Sequence, residues 1–87
     1  MTALTKQQDA FVETTIGDEI VLMTLDKGEF LSLDGPAADA WRLIDGARSE
    51  ADIIAALQGE YTAEPDTIAT DIGDFVTELR QIGVIAG

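Results

Sequence analysis

The sequence predicts a small α+β domain in which three short antiparallel strands precede three helices. The first observation behind this prediction is that β-branched and aromatic residues are concentrated in the N-terminal part of the chain, in stretches separated by glycine-containing turns. The second is that apolar residues beyond this part recur at helical spacing. With 87 residues, of which 46% are hydrophobic, the chain can bury one core and is not expected to be disordered.

The three predicted strands cover Ala10–Ile16, Glu19–Leu25 and Glu29–Leu33. Gly17 marks the turn between the first two strands, and Gly28 belongs to a short hairpin loop before the third. The second strand has apolar side chains on both faces, which is typical of a central strand. The first and third strands are therefore expected at the edges of the sheet.

The first helix is predicted from a capping residue at Asp34 or Gly35 and from Pro36, which suits a first turn because its missing N–H is not needed there. The apolar stripe of this helix carries Trp41, the only tryptophan, which we therefore place in the core rather than in a ligand site. Gly46 is expected in the left-handed conformation after the helix.

The second helix is predicted to begin at Ser49, which forms a capping-box pattern with Asp52, and to end near Gly59. The third helix is predicted to begin around Pro65 and to end at Gly83. One apolar stripe runs along the third helix, and it consists of Ile68, Ile72, Phe75, Leu79 and Ile82.

The N-terminus contains no apolar segment of signal-peptide length, and no apolar run approaches the roughly 20 residues that span a bilayer. We therefore expect a cytoplasmic protein. Its predicted organisation is a flexible N-terminal segment, residues 1–9, followed by one domain, residues 10–87.

The composition argues against catalysis and against nucleic-acid binding. The chain has no cysteine and no histidine, so thiolate chemistry and the commonest general base and metal ligand are missing. Its 17 acidic and 5 basic residues give a net charge of −12, which repels phosphate backbones and membrane surfaces. Asp71, Asp74 and Glu78 share a helix face but have no loop to wrap a cation, so we predict a solvated face. No catalytic residue, metal site or cofactor is predicted.

The third strand and one flank of the third helix form a candidate peptide-binding groove. An edge strand has N–H and C=O groups without partners, and few charged residues protect this one. Gly73 lies inside the helix, where glycine costs about 1 kcal/mol relative to alanine, so the close approach of another backbone is one explanation for it. Packing against the chain's own sheet or first helix is the other. The candidate peptide-binding residues are Glu29, Phe30, Leu31, Ser32, Leu33, Ala69, Gly73, Val76 and Arg80, with Arg80 as a positive rim.

One set of residues between about residue 10 and residue 86 has a characteristic order and spacing. It consists of Val21, Leu22, Leu25, Asp26, Gly28, Phe30, Ser32, Leu33, the Ala-x-x-Ala-Trp pattern at 37–41, Leu43 through Gly46, Asp71, Phe75, Leu79 and Gly83. This set resembles the pattern of the PqqD-like family, whose members are the peptide-recognition domains of ribosomal peptide (RiPP) maturation pathways.

The resemblance implies a winged helix-turn-helix-like fold that does not bind DNA. It also implies a non-catalytic adaptor, which binds the leader segment of a precursor peptide as a fourth, antiparallel strand on the third strand, packed against the third helix. The adaptor would deliver this peptide to a separate maturation enzyme, either a leader peptidase and cyclase of a lasso-peptide pathway or a radical-SAM enzyme. We expect a monomer or a weak dimer, because an unpaired edge can also pair with a second copy.

Two other functions are compatible with the sequence. The chain could be a structural interaction subunit that binds an enzyme through its acidic helical surface and binds no peptide, in which case high salt would weaken the complex strongly. Ser32, in the context Leu-Ser-Leu-Asp, weakly resembles the phosphopantetheine attachment site of acidic carrier proteins, although the order of residues differs and the chain opens with strands.

Overall fold

Three antiparallel strands followed by three helices form the centre of the structure, which confirms the predicted α+β class. The computed structural model describes residues 2–87. Two further short strands, one near each end of the chain, were not predicted as strands. In chain order the elements are β1 (Thr5–Lys6), a 3-10 turn (Gln8–Ala10), β2 (Phe11–Ile16), β3 (Glu19–Thr24), β4 (Phe30–Leu33), α1 (Gly35–Leu43), α2 (Glu50–Glu60), α3 (Pro65–Gln81) and β5 (Ile85–Ala86).

The central sheet has the order β2-β3-β4, so β3 is the middle strand, as its two apolar faces predict. Both of its neighbours are antiparallel to it. The two connecting turns contain Gly17 and Gly28 with φ of +61° and +65°, a conformation that side chains with a Cβ rarely adopt. These glycines therefore allow the two tight connections that make a three-stranded meander.

Trp41 is fully buried, which confirms its predicted place in the core. Its indole Nε1 donates a hydrogen bond to Glu13 Oε1 at 2.8 Å, and the Phe11 ring packs edge-on against it with centroids 5.2 Å apart. The Lys6 ammonium lies 4.6 Å from the centre of the indole ring, within the range of a cation–π contact. Trp41 thus connects α1 to β2 and to the N-terminal strand.

The N-terminal residues are part of the domain, which corrects the predicted boundary at residue 10. Leu4 is 1% exposed and belongs to the core. Strand β1 pairs with β5, Thr5 opposite Ala86 and Lys6 opposite Ile85. The Leu4 N–H also donates to the Arg48 C=O, and the Gly46 N–H donates to the Leu4 C=O, both at 2.9 Å. Met1 lies outside the described residues.

Helix α3 buries a stripe that differs from the predicted one at two positions, because Phe75 and Ile82 are only partly buried. Ile68, Ile72 and Leu79 are buried as predicted, but Val76 is also fully buried, whereas Phe75 is only partly buried. Helical spacing alone allows either residue to complete the stripe, since they are neighbours in sequence. Within residues 2–87, no helix combines the length and the apolar character needed to cross a bilayer.

The start of α2 carries the predicted capping box, and it supports a prediction about pH. The Ser49 N–H donates to Asp52 Oδ2 at 3.0 Å, and the Asp52 N–H donates to Ser49 Oγ at 3.2 Å. The bond from the Ser49 N–H lowers the pKa of Asp52 below its ordinary value of 3.8. Because the folded state holds the ionised form, the stabilisation is present above the unfolded pKa and is lost as the pH falls through the folded one.

We expect Ser49→Ala to lower the free energy of unfolding by about 1 kcal/mol at neutral pH. The free energy of unfolding of the wild-type chain is expected to fall below pH 3.8, the ordinary pKa of this carboxyl group. Asp52→Asn is expected to make this fall less steep. Urea denaturation at a series of pH values measures both effects. If the free energy of unfolding falls equally steeply with pH in the wild-type chain and in Asp52→Asn, the ionised Asp52 does not stabilise the start of α2.

Candidate functional site

Strand β4 lies at the edge of the sheet, as predicted, and within residues 2–87 it pairs with β3 alone. Two hydrogen bonds define which backbone groups of β4 are free. The Thr24 N–H donates to the Glu29 C=O at 2.8 Å, and the Leu25 N–H donates to the Ala10 C=O at 2.9 Å. Even-numbered residues of β3 therefore bond toward β4, and odd-numbered ones toward β2.

This alternation leaves the N–H and C=O groups of Phe30 and Ser32 directed at the vacant edge. Their side chains lie on the outer face of the sheet, where Phe30 is 72% exposed. Leu31 and Leu33 point inward, and Leu33 is buried. Glu29 lies just before the strand, and its C=O is already bonded to Thr24. Of the five predicted strand residues, two therefore present backbone groups to a ligand.

The C-terminal end of α3 lies beside the loop that joins β3 to β4. A surface cavity of about 70 Å³ separates them, and its walls come from the β3–β4 loop and from the last residues of the helix. The lining residues are Thr24, Asp26, Lys27, Glu29, Gln81 and Ile82.

The flank of α3 that continues from this cavity can be identified from helical spacing. Asp71, Phe75, Glu78 and Ile82 follow one another at intervals of four, three and four, so they share one face of the helix. Phe75 and Ile82 are partly buried and pack against the core, while Asp71 and Glu78 are exposed. We call these four residues the groove flank. It combines two apolar side chains with two carboxylates.

The flank predicted from sequence lies on another side of α3. A Cβ built on Gly73 would have Glu50 Oε2 of α2 as its nearest neighbour, at 3.9 Å. Arg80 forms an ion pair with Glu50 at 3.3 Å, and its Nε donates to the Gly87 C=O at 2.9 Å. Val76 is in the core, and Ala69 shares the face of Gly73.

The structure therefore does not bring Ala69, Gly73, Val76 and Arg80 together with β4. The physical reason is that spacing shows which residues share a face of a helix but not which neighbour that face meets. The structure adds candidates that the sequence analysis did not name as peptide-binding residues, namely Lys27 of the cavity and the four residues of the groove flank. Sequence analysis placed Phe75 and Ile82 in the core stripe. Both lie at the margin of that stripe, and this marginal position indicates that their side chains can be partly exposed.

The electrostatic character of the groove is acidic. Of the residues lining the cavity, Asp26 and Glu29 are acidic and Lys27 is the one basic residue. Asp71 and Glu78 add two exposed carboxylates on the face of α3 that includes Ile82. The predicted positive rim at Arg80 is already paired with a carboxylate. Within residues 2–87, no group of three or more potential ligand side chains is placed to hold a metal ion.

Comparison with known proteins identifies one family and two similar structures. The profile of the family described as coenzyme PQQ synthesis protein D (PqqD) matches residues 19–85. A solved structure described as TbiB1 in complex with the TbiA(beta) leader peptide is 29% identical, and the alignment covers 95% of each chain with a TM-score of 0.81.

A second solved structure is described as lasso peptide synthetase B1 complexed with the leader peptide. It is 24% identical, with 98% of this chain and 99% of that chain aligned and a TM-score of 0.80, and at this identity it speaks for the fold alone. The search of curated proteins finds no match.

Proposed function

This chain belongs to the PqqD family, and we propose that it is a non-catalytic adaptor that binds the leader segment of a ribosomally made precursor peptide by strand addition to β4. The observation that carries the proposal is the vacant edge at Phe30 and Ser32. The cavity between the β3–β4 loop and the end of α3 lies next to Glu29, just before this edge. The similar structure of 29% identity is described as a complex with a leader peptide, and this supports the proposal. Extended peptides bind to exposed sheet edges through backbone hydrogen bonds, with side-chain pockets for specificity.

The proposed complex needs more than backbone pairing. Phe30 and Ser32 together offer two N–H and two C=O groups to a peptide. Four hydrogen bonds at about 0.5–1.5 kcal/mol net each give about 2–6 kcal/mol. A micromolar dissociation constant corresponds to about 8 kcal/mol. Apolar contacts must supply the remainder, and Phe75 and Ile82 on the groove flank are the nearest apolar side chains on the helix side.

The direction of β4 sets the proposed path of the peptide. An antiparallel peptide enters beside Leu33 and leaves beside Phe30, over the β3–β4 loop. The part of the precursor that follows the leader would therefore emerge near Asp26 and Lys27. We propose that a separate maturation enzyme receives it there. A leader peptidase with its cyclase and a radical-SAM enzyme are the two classes that the family resemblance implies.

The experiment is a titration of nitrogen-15-labelled protein with overlapping synthetic peptides that tile a short precursor encoded beside its gene. We expect a peptide from the N-terminal half to bind at about micromolar concentration and to shift the amide signals of Phe30 and Ser32. A scrambled version of the same peptide is the control. If every peptide leaves the β4 signals unchanged, the proposed function is wrong. Shifts centred on Glu50 and Arg80 would move the site to the other flank of α3.

A further inference from the structure

The outer face of the sheet carries an apolar row that crosses all three strands. Val12 on β2 is opposite Met23 on β3, and Met23 is opposite Phe30 on β4. Val12 is 46% exposed and Phe30 72%. We call these three residues the outer row. Side chains that are neighbours across strands cover one another, so the two ends of such a row are its least covered parts.

The next row on the same face has a different chemistry. Thr14, Val21 and Ser32 are opposite one another, and the row ends in a hydroxyl group at both edges. The vacant edge of β4 therefore presents two unlike positions, an aromatic side chain at Phe30 and a small polar one at Ser32. A strand added to β4 would meet these two positions two residues apart, on the same face.

We propose that the peptide bound along β4 carries a large apolar side chain at the position paired with Phe30, so that this side chain extends the outer row onto a fourth strand. The inference rests on the proposed function, since it requires a peptide strand on β4. A β-branched or aromatic residue fits best, because such residues make the most favourable cross-strand contacts with an aromatic neighbour. The position paired with Ser32 has no such requirement.

A second copy of this chain is the other possible occupant of the edge, since two β4 strands could pair. Each copy carries a net charge of −12, and the groove contributes Asp26, Glu29, Asp71 and Glu78 to it. Two such surfaces repel each other, whereas a peptide without an acidic excess is not repelled. We therefore assign the position opposite Phe30 to a peptide rather than to a second copy.

The test begins with a peptide selected on the wild-type chain from a displayed library of random peptides, so that no precursor sequence is assumed. Nuclear Overhauser contacts from the Phe30 ring identify the peptide residue paired with it. This residue is then replaced by serine. Calorimetric titration gives the dissociation constants of both peptides for the wild-type chain, for Phe30→Thr and for Val12→Thr. Val12→Thr is the matched control, because it also replaces an apolar side chain by threonine, at the far end of the outer row.

We expect the peptide substitution to weaken binding about fivefold in the wild-type chain and in Val12→Thr, and less than about twofold in Phe30→Thr. Serine at the peptide position paired with Ser32 is expected to change binding less than about twofold in all three chains. Selected peptides should therefore share an apolar residue at the position paired with Phe30. The position paired with Ser32, two residues away, should vary in sequence.

Three outcomes would overturn the inference. If a peptide binds along β4 but the serine substitution acts equally in the wild-type chain and in Phe30→Thr, the outer row does not select the peptide, and the proposed function stands. If no selected peptide shifts the β4 signals, both proposals fall. If the protein sediments as a dimer that Phe30→Thr dissociates, a second copy occupies the edge.

Discussion

Ser32→Pro is expected to abolish peptide binding, with a loss of at least about 100-fold, or about 2.7 kcal/mol. The Ser32 N–H is directed at the vacant edge, so proline removes a donor that a peptide needs and places its ring where the peptide backbone would lie. The ladder between β3 and β4 does not use this N–H, and proline is tolerated on edge strands in this position. Calorimetric titration with the selected peptide measures the effect.

Thr15→Pro is the matched control for this variant, because Thr15 lies on β2 at the opposite edge of the sheet. The alternation of bonds along β2 directs its N–H away from β3. We expect Thr15→Pro to bind peptide as the wild-type chain does, and both variants to keep the wild-type circular dichroism spectrum. Equal binding by Ser32→Pro and the wild-type chain would show that peptides do not use the β4 edge.

Trp41→Ala is expected to lower the free energy of unfolding by about 3–5 kcal/mol. Trp41 is fully buried, and its removal leaves a cavity next to Phe11 and removes the hydrogen bond to Glu13. Domains are stable by only about 5–15 kcal/mol in total, so this variant loses a large part of its stability. Urea denaturation followed by circular dichroism measures the loss without depending on tryptophan fluorescence.

Phe30→Thr is the matched control for the core, since it removes an aromatic ring that is largely exposed. We expect it to change the free energy of unfolding by less than about 0.5 kcal/mol. The pair of variants thus separates the aromatic residue that stabilises the fold from the one proposed to contact a peptide. A loss below about 1 kcal/mol for Trp41→Ala would be incompatible with the packing around the indole.

The meander and the three helices could be predicted because their signals are local. Gly17 and Gly28 mark turns that require positive φ, and Ser49 with Asp52 marks a helix start within four residues. The edge position of β4 also follows from local information, because the apolar residues on both faces of β3 indicate a central strand. These features needed no knowledge of distant contacts.

The N-terminal strand and the groove flank could not be predicted, because both depend on distant contacts. A two-residue strand has no periodicity, and the partners of Thr5 and Lys6 lie at the other end of the chain. On α3, Gly73 and Ile82 lie on different faces, and helical spacing does not show which of these faces α2 covers. Glu50 of α2 covers the face of Gly73 and Arg80, so this face is already occupied.

The pairing of β1 with β5 has a practical consequence for the geometry of the molecule. The two strands lie next to each other, and Gly87 is held by Arg80, which also pairs with Glu50 of α2. A fluorophore, an affinity tag or a surface tether attached beyond β5 would therefore start next to this ion pair, where no peptide contact is proposed. The proximity of the two ends also makes the chain suitable for circular permutation, with new ends opened in an exposed loop such as residues 62–64.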